Sequence, residues 1–187
     1  SGSINPLAPV FTEMWPFIDR ILTEFVGLDE ICEATCRIVK HSLRVLGNQF
    51  EPYLRDFIKK AMFCYQKNPI GSFVYSVEFC FIDFCQTEEF SLLFKEAFEF
   101  ICSHTNSHVF KTRQDCELNP DLVNDFFGLS QRYIKKAPHL FYQCSELETF
   151  VQLLLRCACI ENYNAAKTHT NFITEVCKSI KEDLMEA

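Results

Sequence analysis

Apolar residues recur at helical spacing along almost the whole chain, and only short polar or Pro/Gly breaks interrupt them. A chain patterned in this way can bury its side chains only by packing helix against helix. The first predicted helix spans about Leu7 to Phe25, with Phe11, Met14, Trp15, Ile18, Ile21, Leu22 and Phe25 as its stripe. Pro16 falls inside it and predicts a kink or a late start. Gly27 closes that helix, and Asp29 is placed to cap a second one running to about Leu46, where Gly47-Asn48 stops it. Pro52 opens a third, carrying Leu54, Phe57, Ile58, Ala61, Met62 and Tyr65. Asn68-Pro69 then breaks the chain. A fourth covers about Ile70 to Phe84; its Val, Phe and Tyr content also fits a buried strand, but its length and spacing favour a helix. A fifth runs from near Thr87 to Ser103, a loop follows from Thr105 to Leu118, and a sixth runs from Asn119-Pro120, with Asn as cap, to about Lys136. The last two cover about Ser145 to Cys159 and Asn162 or Asn164 to Leu184.

Eight helices in four hairpins, starting roughly every 40 residues except across the loop after Ser103, match the period of stacked HEAT-type pairs. Each pair is too apolar to stand alone, and stacking covers it. A compact helical bundle is the competing arrangement. The predicted units are 1–3, which reads as an expression scar, and one segment over 4–187 made of pairs at about 4–48, 49–85, 86–137 and 138–187.

Composition supports helices over a turn-rich β-sandwich: five Gly and seven Pro stand against twenty Phe. Hydrophobic residues make up 48% and charged residues 23%, which excludes general disorder. The net charge of −7 argues against a direct nucleic-acid binder. The most apolar stretch, Ile70 to Cys85, contains Glu78 and Asp83, so no membrane span is expected. No secretory signal is visible. The 11 cysteines lie in apolar helical runs without a Cys-x-x-Cys, and read as reduced, small buried hydrophobes.

Enzyme signatures are scarce: no Gly-rich phosphate loop, no Gly-x-Ser-x-Gly, no His-Glu-x-x-His. No cofactor is expected. One constellation has metal-like chemistry, Cys102, His104, His108 and Cys116, but its spacing is unfamiliar for zinc, and solvated loop histidines are the plainer reading. Charge is more informative. Residues 37–67 hold Arg37, Lys40, Arg44, Arg55, Lys59, Lys60 and Lys67 against Glu51 and Asp56, a balance of +5. The remainder, at −12, makes this a basic island in an acidic molecule. Arg37, Lys40 and Arg44, at i, i+3 and i+7, share one stripe of the second helix. Such a line suits a ladder of phosphates or carboxylates on an extended partner, and a solvated helix face is the alternative. Arg132, Lys135 and Lys136 sit at a helix C-terminus, where compensation of the helix dipole explains them.

Three runs near the N-terminus carry a resemblance: Glu13-Met14-Trp15-Pro16-Phe17-Ile18, Ile31-Cys32-Glu33-Ala34-Thr35-Cys36-Arg37 and Leu43-Arg44-Val45-Leu46-Gly47. So does Asn119-Pro120-Asp121-Leu122-Val123-Asn124-Asp125-Phe126-Phe127 through Arg132-Tyr133-Ile134-Lys135-Lys136-Ala137-Pro138. In this order they resemble the transportin-SR branch of the importin-β (karyopherin-β) superfamily. The resemblance implies an all-α, HEAT-repeat α-solenoid of about four antiparallel helix pairs, a fragment from the C-terminal half of a longer receptor. It implies a cargo-binding segment that imports Ser/Arg-rich, phosphorylated or other RNA-binding proteins between cytoplasm and nucleus. Ran-GTP would release the cargo, and nucleoporin Phe-Gly repeats would carry the complex, both in the full-length receptor. The family's arginine-rich helix falls on the second helix here, and its arginines on Arg37, Lys40 and Arg44. Lys40 keeps the charge but loses the bidentate fork, and Ala34, one turn earlier, loses both, so weaker phosphate binding or a different cargo follows. The second, fourth, sixth and eighth helices would line the concave side, where Glu78 and Asp83 could meet cargo arginines. Two other readings stay open: an exportin or bidirectional karyopherin with folded-protein cargo, and a helical-repeat scaffold without a transport role.

Overall fold

The computed structural model describes residues 5–186, with side chains to residue 181; Ser1–Ser3, read above as an expression scar, lie outside the described residues. Ten α-helices and no strands occur among the described residues. They are α1 (Ala8–Glu24), α2 (Asp29–Leu46), α3 (Glu51–Lys67), α4 (Gly71–Phe84), α5 (Ser91–His104), α6 (Arg113–Leu118), α7 (Pro120–Lys136), α8 (Pro138–Tyr142), α9 (Leu147–Arg156) and α10 (Tyr163–Glu186). They form two layers. In one, α2 packs on α4, α4 on α7, and α7 on α10. In the other, α1 packs on α3, α3 on α5, and α5 on α8 and α9. Each helix thus meets the equivalent helix of the next pair, the arrangement of a helical-repeat solenoid rather than of a closed bundle.

The layers meet over an aromatic core. The stripe positions Phe11, Ile18 and Leu22 of α1 are buried, as are Leu54, Phe57, Ile58, Ala61 and Tyr65 of α3. α4 is buried nearly all round, from Phe73 to Phe84, because α2, α3, α5 and α7 surround it. That all-round burial is why its sequence also fitted a strand. Tyr133 of α7 stacks on Phe81 at 3.9 Å and on Phe98 at 4.5 Å between ring centroids, and its hydroxyl donates to the Phe94 carbonyl at 2.7 Å. Most cysteines are buried and all are free, with Cys159 and Cys177 exposed. Burial pushes the Cys36 thiol up to about 11 and the Cys64 thiol up to about 12.

Several expectations change, the helix count among them: the short α6 and α8 raise the expected eight to ten among the described residues. α1 does not start late at Pro16: it begins at Ala8 and continues through Pro16, which gives up its own ladder hydrogen bond inside the helix. Asp29 is not the cap of α2: Leu28 holds that position, while Asp29 sits in the first turn and accepts from Asn68 Nδ2 at 2.7 Å. Asn119 holds the N-cap position of α7 as expected, but its side chain makes no cap bond; its Nδ2 donates back to the Asp115 carbonyl at 2.8 Å. The expected loop from Thr105 to Leu118 is structured instead. Thr105–Val109 makes a wide π-type turn and Arg113–Leu118 forms α6, opened by a capping box in which Thr112 and Asp115 each bond the other's backbone N–H. Gly47 ends α2 at φ 55°, a region that side chains rarely adopt, so the turn into α3 requires glycine there.

Candidate functional site

The basic stripe rides on the outer face of α2. Cys32, Cys36, Val39, Leu43 and Leu46 turn inward, so the intervening Arg37 and Arg44 are exposed and Lys40 is half-buried. These helical positions place the three cations on the edge that faces α4. Lys40 leans onto α4: its ammonium bonds the Tyr75 hydroxyl and lies 4.6 Å from the Tyr75 ring centroid. Arg37 and Arg44 make no hydrogen bond or ion pair among the described residues. Every other arginine does: Arg20 with Glu24, Arg55 with Glu89, Arg113 with Glu117, Arg132 with Glu78, and Arg156 with Asn106.

Two pockets open where α2, α4 and α7 adjoin. One, of about 240 Å³, is lined by Lys40, Leu43, Arg44, Tyr75, Glu78 and Asp83, with Arg132 reaching in from α7. The other, of about 290 Å³, is lined by Glu33, Cys36, Arg37, Ser72, Tyr75 and Asp125. The Asp125 carboxyl is pushed up to about 6, by burial first and then by the neighbouring charges of Glu78 and Asp121. It sits against the first turn of α4, where a Cβ on Gly71 would fall 2.2 Å from Asp125 Oδ2. Only a glycine leaves room for that approach. The Ser72 hydroxyl beside it is buried with no hydrogen-bond partner among the described residues.

The acidic residues of α4 divide. Asp83 is exposed and open, as the sequence reading needed. Glu78 is not open: it is 8% exposed and already accepts from Arg132 Nε at 2.9 Å. The α7 cluster does more than balance a helix dipole. Arg132 crosses to Glu78, Lys136 Nζ donates to the Ile82 carbonyl at 3.0 Å, and Lys135 pairs with Glu175 at 3.6 Å, so the three tie α7 to α4 and α10. Sequence reasoning missed this. A carboxylate in the middle of an apolar run was the available signal, since a buried charge needs a partner.

The metal-like constellation is dispersed. Cys102 lies beside Cys144, and the Cys157 thiol donates to Cys116 Sγ at 3.4 Å. His104 stacks on His108 at 4.6 Å between centroids and on Phe100 at 5.6 Å. Burial and the neighbouring His108 hold the His104 imidazole below its usual range. Among the described residues, no three His, Cys, Asp or Glu side chains gather as a metal site would require.

The family model described as Transportin-3/Importin-13 fourth TPR domain matches residues 5–108, which include the whole of the α2 stripe. Transportin MOS14 of Arabidopsis thaliana is 22% identical over 154 residues, covering 81% of this chain and 16% of that protein. Importin-13 of Rattus norvegicus is 24% identical over 154 residues, covering 82% and 15%. An uncharacterized protein of Schizosaccharomyces pombe is 20% identical over 177 residues, covering 94% and 18%. The chain therefore spans less than a fifth of the length of these relatives, and the named ones are transport receptors rather than enzymes. With its two helical layers and the matched region extending through α5, the chain belongs to the transportin-3/importin-13 family of the importin-β superfamily.

Proposed function

We propose that the chain is a cargo-binding segment of a nuclear transport receptor of the transportin-SR branch. Its α2 face, with Arg37, Lys40 and Arg44, takes the acidic or phosphorylated part of an extended cargo segment from Ser/Arg-rich or other RNA-binding proteins. The observation that carries this is the unpaired state of Arg37 and Arg44 in a chain where every other arginine is engaged. An acidic protein that leaves two guanidinium groups in line without a carboxylate has kept them for an outside partner. A phosphoserine, with roughly −1.5 to −2 charge near neutral pH, matches that line. Asp83 and the acidic remainder of the molecule suit the arginines between the phosphates. In the full-length receptor, Ran-GTP would release the cargo and nucleoporin Phe-Gly repeats would carry the complex between cytoplasm and nucleus. The helix pairs at about 4–48, 49–85, 86–137 and 138–187 would be four successive repeats of that receptor.

Fluorescence anisotropy of a labelled Arg-Ser peptide, with and without phosphorylated serines, tests the reading. Wild-type protein should prefer the phosphorylated peptide. The Arg37→Glu/Lys40→Glu/Arg44→Glu variant, checked for helicity by circular dichroism, should lose that preference. Binding indifferent to both phosphate and the variant would leave the stripe as solvated surface and favour a scaffold or a receptor of folded cargo.

A further inference from the structure

The stripe on α2 is one wall of a cleft whose opposite wall is α7. Lys40 and Arg44 reach the 240 Å³ pocket from one side, and Arg132 reaches it from the other. The floor between them is α4, with Tyr75 and Ile82. Arg132 comes from residue 54 positions after Glu78, so nothing in the local sequence of α2 announces it.

Arg132 is held in a particular way. Its only hydrogen bond among the described residues runs from Nε to Glu78 Oε1 at 2.9 Å. Neither terminal Nη group has a partner among the described residues, and the Arg132 side chain is 42% exposed while the Glu78 side chain is buried. A buried carboxylate therefore grips the inner edge of the guanidinium and leaves N–H donors for the pocket. Across the pocket, Tyr75 holds the Lys40 ammonium by its hydroxyl and its ring face. Both cations are thus fixed before a ligand arrives, which removes part of the side-chain ordering cost of binding. Charge fits as well. Lys40, Arg44 and Arg132 face Glu78 and Asp83, so one positive charge is in excess and the only exposed carboxylate lies on the rim.

We infer that Arg132, with Lys40 and Arg44, forms a phosphate pocket across α4, so that a phosphorylated segment crosses from α2 to α7 rather than lying along α2 alone. The inference rests on the function proposed above and adds to it a third cation, from a different helix, and a direction for the bound segment. Guanidinium and ammonium donors converging from two walls match a tetrahedral oxyanion better than a single carboxylate. Glu78 and Tyr75 are positioning residues: they hold Arg132 and Lys40 and do not themselves meet the phosphate. Asp83, on the rim, is placed for the cationic residue next to it.

The test uses the same phosphorylated and unphosphorylated Arg-Ser peptides. Arg132→Gln alone strands Glu78 in the core and can unfold the protein. The double variant Glu78→Gln/Arg132→Gln removes both charges together, keeps the net charge, and lets two amides replace the pair. It should weaken the phosphorylated peptide by about tenfold, the scale of one charge-assisted hydrogen bond, and leave the unphosphorylated peptide unchanged. Tyr75→Phe should reduce the same preference by less. Arg20→Gln, on α1, is the control and should change nothing. If wild type prefers the phosphorylated peptide and the α2 triple variant abolishes this, but Glu78→Gln/Arg132→Gln binds like wild type, the cross-helix pocket is overturned and the α2 reading stands. If wild type shows no phosphate preference, both fall.

Discussion

Single residues show where buried polarity was tolerated and what holds it. Tyr133 is buried between Phe81 and Phe98, and its hydroxyl reaches the Phe94 carbonyl. Tyr133→Phe keeps the stacking and removes a second hydrogen bond from a carbonyl that stays in the α5 ladder, so stability should fall by about 0.5–1.5 kcal/mol in urea unfolding. Asp125 behaves differently. Its carboxyl, ordinarily near 3.8, is raised to about 6, so the folded state favours the neutral form. Its contribution is favourable below about pH 4 and is lost as pH rises through about 6. Asp125→Asn removes that loss. The melting temperature of the variant should exceed wild type more at pH 7.5 than at pH 5, and an equal gap at both would contradict the assignment. The stripe of Arg37, Lys40 and Arg44 was legible because i, i+3, i+7 spacing fixes a helix face whatever the neighbours do. Which cations lack partners was not legible. Arg132 and Glu78 are 54 positions apart, and only the stacking of α4 on α7 brings them together.

At the scale of elements, periodicity located the long helices, α4 among them although its signal is two-sided, and failed where the signal was short. α4 is flanked by four helices, so its apolar residues point everywhere and the moment that separates helix from strand is weak. α6 has six residues, too few for a periodic stripe. Its capping box was present as Thr112 and Asp115 three apart. Reading that pair first would have found the helix. Two other residues of α6 tie it to the turn before α10: Arg113 Nη2 donates to the Cys159 carbonyl at 2.9 Å and the Glu161 N–H to Glu117 Oε2 at 3.2 Å. Thr112→Ala should cost about 1 kcal/mol, felt locally. Amide hydrogen exchange should quicken across α6 while α4 and α7 keep their protection; unchanged exchange in α6 would show that its contacts, not its cap, hold it.

For the whole molecule, the layer of α2, α4, α7 and α10 is the consequence that matters. Stacking equivalent helices side by side turns separate stripes into one continuous surface, and this surface carries the unpaired arginines, Asp83 and the two polar pockets. The opposite layer of α1, α3 and α5 carries paired charges: Arg20 with Glu24, Arg55 with Glu89, Lys60 with Asp19, Lys95 with Glu99. A period near 40 residues pointed to stacked pairs, but the chain of helix contacts was needed to separate a solenoid from a bundle. Photo-crosslinking of a phosphorylated Arg-Ser peptide bearing a central benzophenone, mapped by mass spectrometry, asks directly which layer binds. Crosslinks confined to α2, α4 and α7 are the expected result, and crosslinks on α1, α3 or α5 would contradict a cargo surface on this layer.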